Sequence, residues 1–389
     1  MVERISSTRR YGRAIALLGV FVLLTGCQSF NQVKSSLPMP VATHEFAFDP
    51  ERDAVVGTLQ IVAAREEDTF SDLARRFNVG YEDMVSANPG VDPWVPHAGT
   101  EIVIPTQFVL PDAPRTGIVV NLAAMRMFYF PPAQPGEPRK VITHPLGIGR
   151  VEWKTPEGAT KIASKTASPT WIPTPSIRKE HAENGDPLPA KVPPGPDNPL
   201  GTHVLKLGWQ NYSIHGTDKP PSIGLRGSHG CLRMYPEDIV RMFNDVPVGT
   251  PVRVVNQPTV FGWRGNALYV QTYPVLEEDK RDQAALRKKA LSAALESAQA
   301  QHDLRAQLTV NHAVLDAVAQ NPRAIAIPVT QAGLTVPTYL ARSMRVDNRR
   351  PVGATWQQDM GQGAGQDTGL ELTQRNGDTA QPLKPPLRP

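Results

Sequence analysis

The chain has 389 residues, enough for two or three domains, and its 40% hydrophobic and 20% charged residues are typical of soluble globular proteins. The formal net charge is +4, but residues 1–26 hold four arginines and one glutamate, which leaves the remainder near +1. Nucleic-acid binding therefore has no electrostatic support, because proteins that bind phosphate backbones present strongly basic surfaces.

The N-terminal segment predicts export from the cytoplasm. The apolar run 14–24 follows basic residues and is shorter than the ~20 residues that a membrane-spanning helix needs, as in a signal peptide. Leu24-Thr25-Gly26-Cys27 resembles the bacterial lipobox, which implies a lipoprotein signal peptide over 1–26 and lipidation of Cys27. Gln28 implies sorting to the outer membrane, so a lipid-anchored periplasmic protein is expected. Ordinary cleavage that leaves Cys27 free is the alternative.

Residues 27–57 contain proline and no clear period, and they are predicted to be a tether. A small βααβ pattern follows over 58–105. Leu59, Ile61 and Ala63 alternate as in a strand, and Asp68 or Thr69 is expected to cap the helix that comes next. A second short helix ends at Asn88-Pro89-Gly90, and a strand over 101–105 closes the unit. The first helix has an apolar face with spacing i, i+3, i+4, i+7, formed by Phe70, Leu73, Ala74 and Phe77.

This unit resembles a lysin motif (LysM) domain. The residues that carry the resemblance are Asp68-Thr69, Leu73-Ala74, Asn88-Pro89-Gly90-Val91 and 102–105. The resemblance implies binding to the glycan of peptidoglycan, which contains N-acetylglucosamine. A small packing domain without a ligand is the alternative, and the sequence assigns no glycan-binding residue.

Residues 115–255 predict a mostly-β domain, because short apolar or alternating runs recur without a long periodic helix. One helix is predicted over 237–243, with Pro236 in its first turn and Val240 and Phe243 facing inward. The segment 169–199 is dense in proline, glycine and charge, and is predicted to be a long loop that could cover a cleft. The predicted strands lie at 117–121, 126–130, 140–143, 161–165, 202–209, 212–215 and 251–255.

Beyond this domain the composition changes. Residues 256–277 continue as a short β extension, and residues 278–345 are predicted to be a helical and irregular extension. Leu286, Leu291 and Leu295 give its helix an apolar stripe, but no sustained a/d repeat supports a coiled coil, so a solvated helix is predicted. Residues 346–389 have almost no large apolar side chains and are predicted to be a disordered tail.

The candidate chemistry is centred on Cys231. A neighbouring imidazole can take the proton of a thiol and return it to a leaving amine. His215 ends a predicted strand sixteen residues earlier, and Gly230 allows a tight turn that aims backbone N–H groups at an oxyanion. Two alternatives are a buried, inert Cys231 and a zinc site of His215, His229 and Cys231. A disulfide with Cys27 is disfavoured because each cysteine has its own explanation.

The motif Ser228-His229-Gly230-Cys231-Leu232-Arg233, preceded by His215-Gly216-Thr217, resembles the signature of the L,D-transpeptidase (YkuD-type) catalytic domain. With the LysM unit, the resemblance is to the lipoprotein-attaching and cross-linking enzymes of Gram-negative bacteria. It implies a β-rich fold and a cysteine acyltransferase that acts on peptidoglycan tetrapeptide stems, with no cofactor and no metal.

The resemblance also implies roles for single residues. Cys231 would be the nucleophile, His215 the proton donor and acceptor, and the Gly216 carbonyl the group that orients His215. The amides of His229, Gly230 and Cys231 would stabilise the oxyanion, and the His229 side chain is an alternative base.

Four further residues are candidates for substrate binding. Arg233 stands where some relatives have Asn, and it either pairs with a stem-peptide carboxylate or braces the loop. Ser228 and Arg226 lie beside the nucleophile in sequence. Tyr212 is a candidate of the same kind and is equally compatible with a core position.

The predicted function is an L,D-transpeptidase of cell-wall organisation and cell shape, which forms 3–3 cross-links or attaches a protein to the wall. An L,D-carboxypeptidase or another cysteine hydrolase is one alternative, and a catalytically inactive peptidoglycan-tethering lipoprotein is another. The expected partners are peptidoglycan and, through the lipid anchor, a membrane. The sequence does not decide which group accepts the acyl chain: a diaminopimelate amine, a lysine of an outer-membrane lipoprotein, a D-amino acid or water.

Overall fold

The computed structural model describes residues 37–38, 40, 44–133, 136–301 and 309–351, without the side chains of 298–301. The helices within this part are α1 (Phe70–Arg76), α2 (Tyr81–Ala87), α3 (Pro175–Glu183), α4 (Pro236–Asp245), α5 (Gln283–Gln301), α6 (His312–Gln320) and α7 (Val336–Ala341). The strands are β1 (Glu45–Ala47), β2 (Val55–Gly57), β3 (Gln60–Ala63), β4 (Glu101–Ile104), β5 (Gln107–Val109), β6 (Gly117–Asn121), β7 (Arg126–Phe130), β8 (Lys140–Pro145), β9 (Ile148–Gly149), β10 (Gly158–Ala167), β11 (His203–Leu207), β12 (Ser213–His215), β13 (Arg226–Ser228), β14 (Leu232–Arg233), β15 (Pro251–Val255), β16 (Thr259–Arg264), β17 (Ala267–Thr272), β18 (Ala326–Pro328) and β19 (Met344–Arg345).

The predicted βααβ unit is present as β3, α1, α2 and β4, with β3 and β4 antiparallel. Thr69, and not Asp68, caps α1: its hydroxyl accepts from the Asp72 N–H, and the Asp72 carboxylate accepts from the Thr69 N–H. Asn88 ends α2 and ties it to β4 by bonding both the N–H and the carbonyl of Val103. The apolar face of α1 is buried as its spacing predicts, with Phe70, Leu73, Ala74 and Phe77 at most 1% exposed.

A nine-stranded sheet forms the second domain, in the order β1-β8-β7-β6-β15-β10-β11-β12-β14. All seven strands predicted between 115 and 255 occur in it, which confirms the mostly-β class. Most neighbours are antiparallel, but β6 pairs with β15, and β12 with β14, in parallel. The parallel pair β12–β14 positions two of the candidate site residues. Strand β12 ends at His215, and strand β14 begins directly after Cys231.

The LysM unit packs against this domain at the start of α4. Arg75 donates from Nε and Nη2 to the two carboxylate oxygens of Glu237, at 2.9 and 2.8 Å. Asn78 Nδ2 donates to both oxygens of Asp238, at 3.0 and 2.8 Å. Glu237 and Asp238 follow Cys231 by six and seven positions, so the LysM unit is held against the segment that carries the thiol.

Two predicted boundaries are wrong. Residues 44–57 are not part of a tether, because β1 is the edge strand of the nine-stranded sheet and β2 pairs with β5. Strands of three residues are too short to show a period in the sequence. The tail predicted from 346 starts too early, since Val346 is fully buried and Asn348 Nδ2 donates to Asp68 at 2.7 Å. Residues 1–36 and 352–389 lie outside the described residues.

The segment 169–199 contains a helix, α3, where a long loop was predicted. Thr174 caps α3 by accepting from the Ile177 N–H, and Pro175 occupies its first turn. One of the prolines in this segment, Pro175, therefore begins a helix and does not indicate irregular structure. Helix α4 occurs where a helix was predicted, and Phe243 packs against the core as predicted. Val240 is 38% exposed, so its inward position was wrong, and Ile239 and Met242 are the buried apolar positions.

The C-terminal extension contains more β-structure than predicted. β16 and β17 form the expected β extension, and β18 from within 278–345 joins them. Leu291 and Leu295 of α5 pack against the core, and Trp263 Nε1 donates to the Ala294 carbonyl, so α5 is not simply a solvated helix. Strand β19 adds to the LysM sheet beside β3.

Candidate active site

Cys231 lies in the turn between β13 and β14, where it is a partly exposed free thiol. Its Sγ accepts a hydrogen bond from Ser213 Oγ at 3.4 Å and lies 3.6 Å from the carbonyl oxygen of Asn211. Its neighbours are therefore polar groups at the start of β12. This surrounding differs from that of a cysteine buried as a small apolar residue, and it leaves the sulfur accessible to a ligand.

His215 ends β12, and only 4% of the residue is exposed. Its Nδ1 lies 2.6 Å from the carbonyl oxygen of Gly216. Because a carbonyl only accepts, the proton of the neutral ring is assigned to Nδ1, and Nε2 is left as an acceptor. Burial and then the charge of Arg233 lower the pKa of His215 to about 4, although the Gly216 hydrogen bond acts in the opposite direction. The imidazole is therefore neutral at pH 7.

The parallel pairing of β12 with β14 brings the two groups together. His215 lies opposite Arg233 in the register. Since side chains alternate along a strand, Ser213 and His215 share one face of β12. The hydrogen bond from Ser213 Oγ to Cys231 Sγ places the thiol at that same face, so the thiol and the His215 imidazole lie on one face of the β12–β14 pair.

The turn before Cys231 requires glycine. Gly230 has a φ of +100°, and a Cβ there would lie 2.9 Å from Cε1 of Tyr212. The Gly230 carbonyl accepts from Thr155 Oγ1 at 2.8 Å, and its N–H donates to Ser228 Oγ at 3.1 Å. That N–H is therefore already bonded in this arrangement of the loop, which does not support the predicted role of the Gly230 amide in oxyanion stabilisation.

The His229 side chain contacts the segment 169–199. Its Nε2 lies 3.3 Å from Glu180 Oε2 on α3 and 3.3 Å from Arg150 Nη2, and Arg150 also forms an ion pair with Glu180. Trp153 packs edge-on against the imidazole, with ring centres 5.2 Å apart. Burial and the charge of Arg150 lower the pKa of His229, whereas Glu180 raises it. These contacts occupy the imidazole, which favours His215 as the base.

Two predicted substrate-binding residues brace the site instead. Ser228 is 2% exposed, and its hydroxyl donates to the Cys231 carbonyl at 2.5 Å. Arg226 donates twice to the carboxylate of Glu278, at 2.8 and 2.7 Å. The polar groups of these side chains are bonded within the protein, so their arrangement does not support the predicted role in substrate binding. Tyr212 is half-buried and packs against the core of the domain.

Arg233 has the opposite character. Its guanidinium has no hydrogen-bond or ion-pair partner within the part of the chain that the structure describes, and its Nε is buried. Burial lowers the pKa of Arg233, whereas the nearby Asp218 and Cys231 raise it. A partly buried cation without a partner is costly by itself and is suited to a carboxylate ligand.

Sequence reasoning missed the residues that complete the site from outside the motif, namely Arg150, Thr155, Glu180 and Ser213. Ser213 carried a usable signal, because it lies two positions before His215 and side chains two apart share a face of a strand. The other three lie in segments with no pattern that relates them to the motif.

Among the described residues, no group of three or more His, Cys, Asp or Glu is arranged to hold a metal ion. Within the same residues, no helix is long and apolar enough to cross a bilayer. The predicted signal peptide and Cys27 lie outside the described part of the chain.

Two family models match the chain. The L,D-transpeptidase catalytic domain (YkuD) matches residues 115–254, and the LysM domain matches residues 64–105. The Probable L,D-transpeptidase YcfS of Escherichia coli K12 is 37% identical over 268 residues, which cover 67% of this chain and 82% of that protein. This chain belongs to the L,D-transpeptidase family.

Two further relatives agree with this assignment. The Probable L,D-transpeptidase ErfK/SrfK of Escherichia coli K12 is 38% identical over 64% of this L,D-transpeptidase and 76% of that protein. YbiS of the same strain is 44% identical over 52% of this chain and 66% of its own. Among solved structures, a mutant of Enterococcus faecium L,D-transpeptidase is 26% identical, with a TM-score of 0.27 over 36% of this chain and 49% of that chain.

Proposed function

We propose that this L,D-transpeptidase is a cysteine acyltransferase that forms a thioester between Cys231 and a peptidoglycan tetrapeptide stem, and then passes the acyl group to an amine. The observation that carries the proposal is the accessible thiol on the same face of the β12–β14 pair as a buried, neutral imidazole. The Gly216 carbonyl holds Nδ1 of His215, which leaves Nε2 to exchange protons with the thiol.

In the first half-reaction, the Sγ proton of Cys231 passes to Nε2 of His215, and the thiolate attacks the carbonyl carbon of the third stem residue. The C–S bond forms while the carbonyl electron pair moves onto oxygen. When the tetrahedral intermediate collapses, the C–N bond to the terminal D-alanine breaks, and the departing nitrogen takes the proton from His215. The products are a thioester and free D-alanine, and the imidazole is neutral again.

We assign oxyanion stabilisation to the backbone N–H groups of Cys231 and His229, since the N–H of Gly230 is bonded to Ser228. The hydrogen bond from Thr155 to the Gly230 carbonyl fixes the turn. Donors that are held in place before the reaction need no reorganisation when negative charge develops on the oxygen.

Arg233 is proposed to bind a carboxylate of the stem peptide. Its unpartnered guanidinium supports this role over that of a loop brace. This side chain would thus position the donor peptide beside the nucleophile.

In the second half-reaction, an amine attacks the thioester carbonyl and Cys231 leaves as the thiolate. His215 takes the proton of the amine and returns it to the sulfur. A diaminopimelate amine would produce a 3–3 cross-link, and a lysine amine would attach a protein to the wall. Water in the same position would make the enzyme an L,D-carboxypeptidase, which is the second candidate function.

The LysM unit is proposed to bind the glycan strand. The contacts of Arg75 and Asn78 with α4 would keep the bound strand at a fixed position relative to Cys231. We further propose that the protein is exported to the periplasm and anchored at the outer membrane through a lipid on Cys27. Its role would be in peptidoglycan biosynthesis and cell-wall organisation.

The test is incubation of the purified protein with disaccharide-tetrapeptide, with and without Cys231→Ala. Release of D-alanine together with a 3–3 dimer or an amine adduct supports transpeptidation, whereas tripeptide alone supports the carboxypeptidase. Product formation by Cys231→Ala at the parental rate would remove the assignment. If Cys231 is not acylated by a carbapenem and no D-alanine appears, the protein is an inactive tethering lipoprotein.

A further inference from the structure

A second cleft, of about 630 Å³, lies between the LysM unit and the catalytic domain. Its walls come from α2 of the LysM unit, from segments 123–125 and 224–226 of the catalytic domain, and from 273–277 of the C-terminal extension. Its volume suits an organic group of several atoms and is far larger than a single ion needs. We call it the interdomain cleft.

The wall that α2 contributes is acidic. Glu82 and Asp83 line it, and Glu277 stands at the rim. Arg226 is the cationic side chain among the described residues that line the cleft, and it forms an ion pair with Glu278. Arg126 lies 3.8 Å from Asp83 on the protein side, too far for a good hydrogen bond. Burial raises the pKa of Glu82, and it raises that of Asp83 to about 6, so the nearby positive charge does not offset the lost solvation.

Tyr273 provides an independent indication of a ligand. It lines the cleft and is 4% exposed, and its hydroxyl forms no hydrogen bond among the described residues. This hydroxyl is not one of the sealed polar atoms without a partner, so it is open to the cleft and within reach of a ligand. Burial and then the charge of Asp83 raise the pKa of Tyr273, whereas Arg126 lowers it. A ligand donor placed between the Tyr273 oxygen and the Asp83 carboxylate would bond both groups.

The floor of the cleft is apolar. Ala123, Ala124 and Leu276 line it, with exposures of 4%, 2% and 7%. No metal-binding group of three or more side chains is found among the described residues, so these carboxylates are not clustered as a metal ion would require. An acidic wall above an apolar floor matches a cation on a methylene chain, which buries its stem while the charged end stays among polar groups.

We propose that the interdomain cleft binds a primary alkylammonium group, with the methylene chain on Ala123 and Ala124 and the ammonium among Glu82, Asp83 and the Tyr273 hydroxyl. An ammonium has three donors, one for each of these acceptors. Two sources carry this chemistry: the diamino-acid side chain of a wall peptide, and a free diamine. The first source rests on the proposed function, since it requires peptidoglycan as the ligand.

The test is calorimetric titration of the full chain with 1,5-diaminopentane in the absence of an acyl donor. Saturable binding is expected, and 1-pentanol, which lacks the ammonium, should not bind. Glu82→Gln should weaken the binding by about tenfold or more, because it removes a charge-assisted hydrogen bond, and Tyr273→Phe by a few-fold. Glu66→Gln is the matched control, because Glu66 is an exposed carboxylate of the LysM unit outside the cleft.

Further arms identify the source and guard against misfolding. A stem peptide with a free diamino-acid amine that binds, while its N-acetylated form does not, assigns the site to wall peptide. Binding of diaminopentane but of neither peptide assigns it to a free diamine. Glu277→Gln, at the exposed rim, gives a second acidic variant if the melting temperature of Glu82→Gln is lowered.

The proposal is overturned if neither diaminopentane nor the peptide binds, or if the folded cleft variants bind as tightly as the wild type. The titration contains no acyl transfer, so its result does not depend on D-alanine release. A protein that releases D-alanine but binds no amine retains the proposed function and loses only this site. A protein that binds amine but releases no D-alanine retains only this site.

Discussion

The active-site cleft and the interdomain cleft have opposite charge and opposite origins in the chain. Around Cys231 the side chain without a partner among the described residues is a cation, Arg233, whereas the interdomain cleft is lined by the Glu82 carboxylate and the Tyr273 hydroxyl. The first site takes its candidate reacting groups from about twenty consecutive residues, and the second takes its walls from four separate segments. Groups that are close together in the chain leave a local motif in the sequence, whereas walls drawn from distant segments leave none.

The sharpest way to separate the two clefts is Cys231→Ser. We expect D-alanine release to fall by more than about 10³-fold, since removal of a nucleophile costs at least that much in comparable enzymes. Diaminopentane binding should not change, because Cys231 does not line the interdomain cleft. D-alanine release and calorimetry on the same preparation check both statements. A variant that loses both properties would show that the clefts are one site.

The next largest effect is expected for His215→Gln, which removes the proton acceptor but keeps a polar side chain of similar size. D-alanine release should fall by about 10²–10⁴-fold, the usual contribution of general acid–base catalysis. Alkylation of Cys231 by iodoacetamide at pH 7 should slow as well. The same experiment with His229→Gln is the control, and an equal loss there would contradict the choice of His215 as the base.

Arg233→Gln should raise KM for the tetrapeptide by about 10–100-fold, as expected for the loss of hydrogen bonds between charged groups. The same variant is expected to change the pH dependence of the reaction rate. Arg233 lowers the pKa of His215, so without this charge the pKa should rise above about 4, and the acid limb of the pH–rate profile should move to higher pH.

Arg253→Gln, an exposed arginine on β15, is the matched control for this variant and should leave both quantities unchanged. An unshifted acid limb in Arg233→Gln would show that Arg233 does not influence the imidazole.

The contact between the domains can be weakened without changing either cleft directly. Glu237→Gln should lower the free energy of unfolding by about 1–3 kcal/mol, because Arg75 loses a charged, two-bond partner. Urea denaturation of this variant, of Arg75→Met and of the double variant gives the coupling energy. Diaminopentane binding should weaken more than D-alanine release from a soluble stem. The opposite order would contradict the position of the amine site between the domains.

The smallest effect is expected for Glu180→Gln, which removes one partner of His229 and Arg150 near the surface. Alkylation of Cys231 by a bulky maleimide should become about two- to fivefold faster, the scale of an exposed ion pair. Alkylation by iodoacetamide should not change. Equal acceleration with both reagents would show that α3 does not restrict access to the thiol.

Much of the architecture was predictable from local pattern. The i, i+3, i+4, i+7 spacing identified the buried face of α1, and period-two runs identified the strands of the large sheet, because burial on one face imposes these periods. Three-residue strands such as β1 and β2 carry no measurable period, so the sequence around them predicts a tether and not strands. At α3, Thr174-Pro175 was a capping signal that the surrounding prolines obscured.

The sequence by itself predicted Cys231 as the nucleophile and His215 as its base, and the parallel pairing of β12 with β14 places both side chains on one face of the sheet. The two residues are close together in the chain. Only the tertiary structure decided which polar groups near them remain free. Arg226 is bonded to Glu278, fifty-two positions away, while Arg233 is left without a partner among the described residues. Whether a polar group finds a hydrogen-bond partner depends on segments that are distant in the chain, and not on the local sequence pattern. The candidate substrate contacts and the interdomain cleft therefore became visible only in the folded chain.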